Sequence, residues 1–238
     1  MPDAARLPPS PRLASAMRAA AVDFYYHSLR LVLANVLWGV AFFAVLFVWA
    51  SAGPIALLLA PLLAIPWVGI VRLAALIARG DEVVLSDAFG AYRRWLMPTL
   101  VAGFGFVLAG FVLLTNLAVG LHFGGVPGWS FATLSGWGLV VAWLVALSFW
   151  PLLVDPRRDD MGALAKLRLA AILVVAFPLR VAALGFVAAI VAVVSTVAIA
   201  AIVTISVAYL ALVSCRYVLP AADRLERRVV ASPGEDDD

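Results

Sequence analysis

The chain of 238 residues has one cysteine, Cys215, and two histidines, His27 and His122. That inventory excludes a disulfide within the chain and any His/Cys metal cluster. It also lacks a GxSxG elbow, a P-loop and a GxGxxG fingerprint. "GWSFATLSGWG" sets a serine between glycines, but His122 is the only base nearby, which is too little for a serine hydrolase. No catalytic, cofactor-binding or metal-binding residue is therefore expected, and the chain does not read as an enzyme. Cys215, near the end of an apolar run, reads as a small buried filler.

Charge is scarce as well. Only 13% of residues are charged while 65% are hydrophobic, and the mean hydropathy is +1.07. Soluble domains carry about 25% charged and about 45–50% apolar residues, so this composition is that of a membrane protein. No Asp, Glu, Lys or Arg occurs from Leu31 to Val71, from Trp95 to Val154, or from Val181 to Cys215. A bilayer core takes about 20 apolar residues per helix, so each charge-free stretch holds two spans rather than one.

The first stretch breaks at "SAGP" (Ser51 to Pro54) and gives spans near 31–49 and 55–78. The second breaks at the Gly/Pro-rich turn Val119 to Ser130 and gives 96–118 and 131–154. The third offers no such signal. It is divided around Ala198 to Ala201 into 181–197 and 202–219, because one 40-residue helix would be about 60 Å long; a single bent helix is the alternative. The expected fold is all-α: a polytopic bundle of about six transmembrane helices in a single domain, 12–228, between disordered tails at 1–11 and 229–238. "ASA" at Ala50 to Ala52 resembles a signal-cleavage site, but the apolar run before it is too long and starts too late, so the first span is expected to stay.

With six spans and both termini on one side, all seventeen Lys and Arg residues fall on that side or at the adjoining helix ends. Lys/Arg bias sets topology, so both termini are expected in the cytoplasm. Tyr25, Tyr26, Tyr92, Trp95 and Tyr217 then lie at the inner interface, and Trp49 and Trp129 at the outer. The deepest charges, Arg72, Arg180 and Arg216, are close enough to that surface to snorkel; the alternative is a cytoplasm-facing pocket for an anionic group.

One stretch between spans carries three acids and three arginines: "RGDEVVLSDAFGAYRRW", Arg79 to Trp95. Ser86 is placed to cap a helix, Asp87 sits in its positive first turn, and Arg93 and Arg94 sit in its negative last turn. Leu85, Phe89, Tyr92 and Leu96 fall on one face, the pattern of a short helix lying in the membrane interface. Asp87, Arg93, Arg94 and Trp95 are accordingly the candidate contacts to a partner or to anionic lipid. Ser10 and Pro11 open a similar segment with the stripe Leu13, Met17, Ala20 and Phe24, and Asp159 and Asp160 precede a third, more apolar copy that is interfacial or dips into the membrane. Pro98, Gly105, Phe106 and Ala109 recur eighty residues on as Pro178, Gly185, Phe186 and Ala189. Three repeats of an interfacial helix plus two spans are expected.

Within the spans, Asn35, Asn116, Ser148 and Thr196 are the candidate intramembrane polar contacts, as helix-to-helix hydrogen bonds or as the lining of a path for a neutral solute. Pro61, Pro66 and Pro151 are expected to kink their helices.

"NVLWGVAFF" from Asn35, "IPWVGIVRLAALIARGDEVVLSDAFGAYRRW" and "AFPLRVAALGF" together resemble the YesL-like family of bacterial integral membrane proteins, a domain of unknown function. The matching features are Asn35 and Trp38, the Pro-containing second span, Arg79 and Gly80 at its end, and Ser86, Asp87 and Phe89; the likeness covers roughly 24–227. It implies a bacterial inner-membrane protein that accompanies carbohydrate uptake, with no catalytic residues to carry over. The expected function is an accessory or scaffold subunit of a solute uptake system, and a small transporter or channel for a neutral solute is the alternative. Expected partners are the lipid bilayer and a membrane transporter subunit; no cofactor and no nucleic acid are expected.

Overall fold

The computed structural model describes residues 12–197 and 205–231, without the side chains of 196, 197 and 228–231. Among the described residues every regular element is helical. Five stretches are long and apolar enough to cross a membrane: Ser28–Leu58, Ala60–Arg79, Leu85–Phe123, Gly125–Leu153 and Pro178–Ser195.

α1 (Leu13–Tyr26) begins after Arg12, and the expected cap at Ser10 and Pro11 lies outside the described residues. Ala16 and Ala20 are buried, and Leu13, Met17 and Phe24 pack against the core, which is the predicted stripe. α1 ends at His27 (φ −111°, ψ 17°) and α2 (Ser28–Ala52) follows at once.

The second span departs from a plain helix. Gly53–Leu58 and Ala60–Leu63 are 3₁₀ turns, and only Ala64–Arg79 is α-helical (α3). Pro54, Pro61 and Pro66 each lack an N–H, and a proline ring collides with the carbonyl four residues back. The chain bonds three residues back instead, from Leu59 N to Ala56 O at 3.0 Å and from Leu62 N to Leu59 O at 2.9 Å. α3 stops at Gly80, whose φ of 81° only glycine adopts freely, and Asp81 N closes the end onto Leu76 O at 3.0 Å.

α4 (Leu85–Phe123) runs without a loop through the segment expected at the interface and the third expected span, with one break at Trp95 (φ −109°, ψ 16°). The cap is not Ser86: the helix starts at Leu85, and the Asp87 carboxylate accepts from Val84 N at 2.8 Å. The expected apolar face divides between the protein and the outside. Ala88, Ala91 and Trp95 are buried, with Leu85 and Tyr92 against the core, whereas Phe89 and Leu96 turn outward. The cause lies on α3, where a Cβ on Gly69 would stand 2.4 Å from the Tyr92 ring. The small residues let the two helices close together.

The expected turn at 119–130 contracts to two glycines. Gly124 and Gly125 have φ of 61° and 64°, and α5 (Gly125–Leu153) starts directly. Pro127 sits in its first turn, where no N–H is needed. Below the turn the α4 and α5 backbones nearly touch, since a Cβ on Gly120 would lie 2.7 Å from Gly128 O.

After a 3₁₀ turn at Pro156–Arg158, α6 (Ala163–Ala176) ends at Phe177 (φ −132°, ψ 56°), and α7 (Pro178–Val197) begins with proline at its first position. The last helix, α8 (Val207–Ala231), includes Pro220 in its interior. The predicted break at 198–201 lies outside the described residues. Ser195 Oγ donates to Ser206 Oγ at 2.6 Å, whereas residues 11 apart in one straight helix stand about 16 Å apart. α7 and α8 are therefore separate helices. α3 and α8 form the centre, packed with α1, α4 and α5.

Candidate functional site

The charged residues of the helix ends meet at one end of the bundle, and there the sequence reading missed most of the structure. Asp155, which follows α5, is fully buried. Arg79, the last residue of α3, grips it with Nε at 3.0 Å from Oδ1 and Nη2 at 2.6 Å from Oδ2. The same guanidinium reaches Asp223 of α8, with Nη1 at 2.6 Å and Nη2 at 3.0 Å. Arg158 bonds Asp155, Asp223 at 2.7 Å, and Glu226 at 2.9 and 2.7 Å. Arg157 completes the set at 3.4 Å from Asp223. Three arginines and three acids thus form a neutral network, much of it in the two-point Arg–carboxylate geometry that is stronger and more directional than a single bond. It clamps the end of α3, the turn after α5 and the last turns of α8 into one plate.

Asp223 records the balance of forces in this network. Burial pushes its carboxyl up, but the hydrogen bonds and charges of Arg79 and Arg158 outweigh burial and hold it below the ordinary carboxylate value. Burial likewise favours loss of the Arg158 proton, and its bonds to Glu226 and Asp223 overcome that and hold the guanidinium charged.

A second cluster surrounds Trp95. Arg72 stands 5.0 Å from the ring centroid and Arg94 4.9 Å, so two cations share one indole. Both also face Asp159, Arg94 Nη1 at 3.0 Å and Arg72 Nη1 at 3.7 Å. Arg72 donates to Val154 O at 2.7 Å, and the buried Lys166 of α6 donates to Leu153 O at 2.8 Å. α5 has no basic residue in its own last turn. Two distant cations instead satisfy the carbonyls at its negative end.

The sequence-predicted site residues divide accordingly. Trp95 is buried between its arginines, Asp87 serves as a helix cap, and Arg94 is tied to Asp159. Arg93 is exposed, with no ion pair among the described residues. Asn35 is buried and accepts from Ala208 N at 2.9 Å, joining α2 to the start of α8. Ser148 bonds back to Leu144 O at 3.0 Å, Asn116 is half-buried on α4, and the side chain of Thr196 lies outside the described residues. Of the deep arginines, Arg216 pairs with Asp23 of α1 at 2.7 and 2.9 Å and Arg180 lies 4.7 Å over the Tyr217 ring. Specific protein partners hold these cations. Cys215 is buried, as a filler residue would be. No group of three or more His, Cys, Asp or Glu residues is placed to hold a metal among the described residues.

Arg79 was visible beforehand only through the family resemblance. The spacing of Asp155 with Arg158, and of Asp223 with Glu226, puts each pair on one face of a turn or helix, which is the local signal available for the rest. Comparison with protein families, curated proteins and solved structures finds no match to this chain.

Proposed function

We propose that the chain is an accessory or scaffold subunit of a bacterial inner-membrane solute uptake system, of YesL-like type, with its charged end in the cytoplasm. The observation that carries this reading is the neutral clamp of Arg79, Arg157 and Arg158 with Asp155, Asp223 and Glu226. A network of this kind fixes helix ends relative to one another, which is what a docking plate needs. Exposed groups without a role in the clamp are Tyr25 and Tyr26 at the end of α1, Asp81 and Glu82 in the loop after α3, and Phe89 near the start of α4. A carbohydrate carrier is the partner that the resemblance implies.

The same reading takes the chain as three units, each an interfacial helix followed by two spans, with α8 as the returning sixth span. In support, the breaks at His27 and Trp95 have nearly the same dihedral angles, −111° and 17° against −109° and 16°. The third break, at Phe177, is wider.

The test is purification of the tagged protein from its native membrane in mild detergent, with mass spectrometry of what accompanies it in equal amount. A membrane transport subunit is expected in the wild type and is expected to be lost from an Asp81→Asn, Glu82→Gln variant, whose substitutions lie in an exposed loop and leave the clamp intact. If both preparations yield the chain alone, the accessory reading fails.

A further inference from the structure

Between α4 and α5 runs an apolar groove of about 1090 Å³. It exists because side chains are missing from one wall: Gly105 faces open space, with nothing within 4 Å of a Cβ built on it. Phe149 lines it opposite, and Leu164 and Leu167 of α6 line it toward the charged end. Along α4 it extends from Pro98 to Leu113, about 22 Å at 1.5 Å per residue. That is more than the depth of one leaflet, half of a core about 30 Å thick.

Its two ends differ in charge. Pro98 is one helical turn from Arg94, and Arg94 reaches Asp159, four residues before the α6 residue Ala163 that also lines the groove. Arg94 therefore sits at the mouth. It is more than half exposed, and only Nη1 is engaged with Asp159, which leaves Nε and Nη2 free to donate. Arg93 is exposed on α4, and Arg168 is exposed on α6 one turn beyond Leu164; neither has an ion pair among the described residues. Of the nearby acids, Asp159 is shared by Arg72 and Arg94, Asp87 caps α4, and Asp160 is exposed. The mouth keeps a positive excess at headgroup depth. The far end of α4 has no Lys or Arg at all.

We propose that this groove seats one anionic phospholipid, with an acyl chain along Gly105 and Phe149 and its phosphate on Arg94, flanked by Arg93 and Arg168. Charge complementarity selects this occupant over a partner's transmembrane helix, whose apolar surface brings no anion to the guanidinium donors. A groove so placed binds a headgroup by charge and a chain by shape, as basic interfacial segments do with anionic lipid. The proposal does not depend on the accessory reading.

The experiment is delipidation of the purified chain, followed by addition of phosphatidylglycerol or phosphatidylcholine with the same acyl chains, read by native mass spectrometry and thermal shift. One phosphatidylglycerol is expected to stay bound and to raise the unfolding temperature, with phosphatidylcholine retained at least about tenfold less. Gly105→Leu fills the groove without meeting a neighbour and is expected to abolish retention. Arg93→Gln with Arg168→Gln touches no described contact and is expected to weaken it about tenfold or more, while the unliganded unfolding temperature stays put. Equal retention of the two lipids, undiminished binding in either variant, or a polypeptide or second copy of the chain in place of the lipid would overturn the proposal.

Discussion

At the scale of single residues, Asp155 holds the charged end together. It is buried, and two guanidinium groups depend on it. Removing one partner of a buried pair leaves an uncompensated charge and costs about 3–5 kcal/mol. Asp155→Asn is therefore expected to lower the thermal midpoint in detergent by many degrees, whereas an unchanged midpoint would mean that the clamp contributes nothing to folding. Asp223 makes the same network sensitive to acid. Its carboxyl is held below the unfolded value, so its contribution is complete above that value, about 3.9 for aspartate, and is lost as pH falls through the depressed folded one. The difference in midpoint between wild type and Asp223→Asn is expected to be constant from neutral pH down to about 4 and to narrow below it, measured by unfolding at a series of pH values.

At the scale of elements, five of the six expected spans were legible because long charge-free runs leave the chain little else to do in a bilayer. Their internal structure was not. Val119 to Ser130 reads as a loop by its glycines, yet Gly120 and Gly128 lie inside helices and serve close approach. Only Gly124 and Gly125 make the turn. Composition does not separate these two uses of glycine. The face of α4 that packs on the protein went unread for a related reason. Periodicity followed the large residues Leu85, Phe89, Tyr92 and Leu96, but in a membrane small residues permit contact while large ones also face lipid; Ala88 and Ala91 are the buried pair. A test follows from the α4–α5 crossing. A Cβ on Gly120 would meet backbone atoms at 2.7 and 2.8 Å, while one on Gly136 meets nothing within 4 Å. Gly120→Val is expected to destabilise the protein by about 1–3 kcal/mol and Gly136→Val to leave thermal stability nearly unchanged.

At the scale of the whole molecule, counting arginines finds which end carries the charge, but nothing in the count says which residues pair. Arg79 and Asp223 are 144 positions apart, and Arg79 and Asp155 are 76 apart. No local spacing encodes such partners; they follow from three helix ends being brought together by the packing of their apolar faces. The acids of the clamp, Asp155, Asp223 and Glu226, for that reason drew no reading from the sequence. The accessory reading depends on one placement, the charged end in the cytoplasm, and the chain is well suited to measuring it. Its one cysteine is fully buried, so the wild type offers a quiet background for thiol labelling. With cysteine introduced singly at Asp81 or at Ser130, both exposed, intact cells are treated with a membrane-impermeant maleimide before and after permeabilisation. The account predicts that Ser130→Cys labels at once and that Asp81→Cys labels only after permeabilisation. The reverse pattern, or labelling of both positions in intact cells, would contradict it.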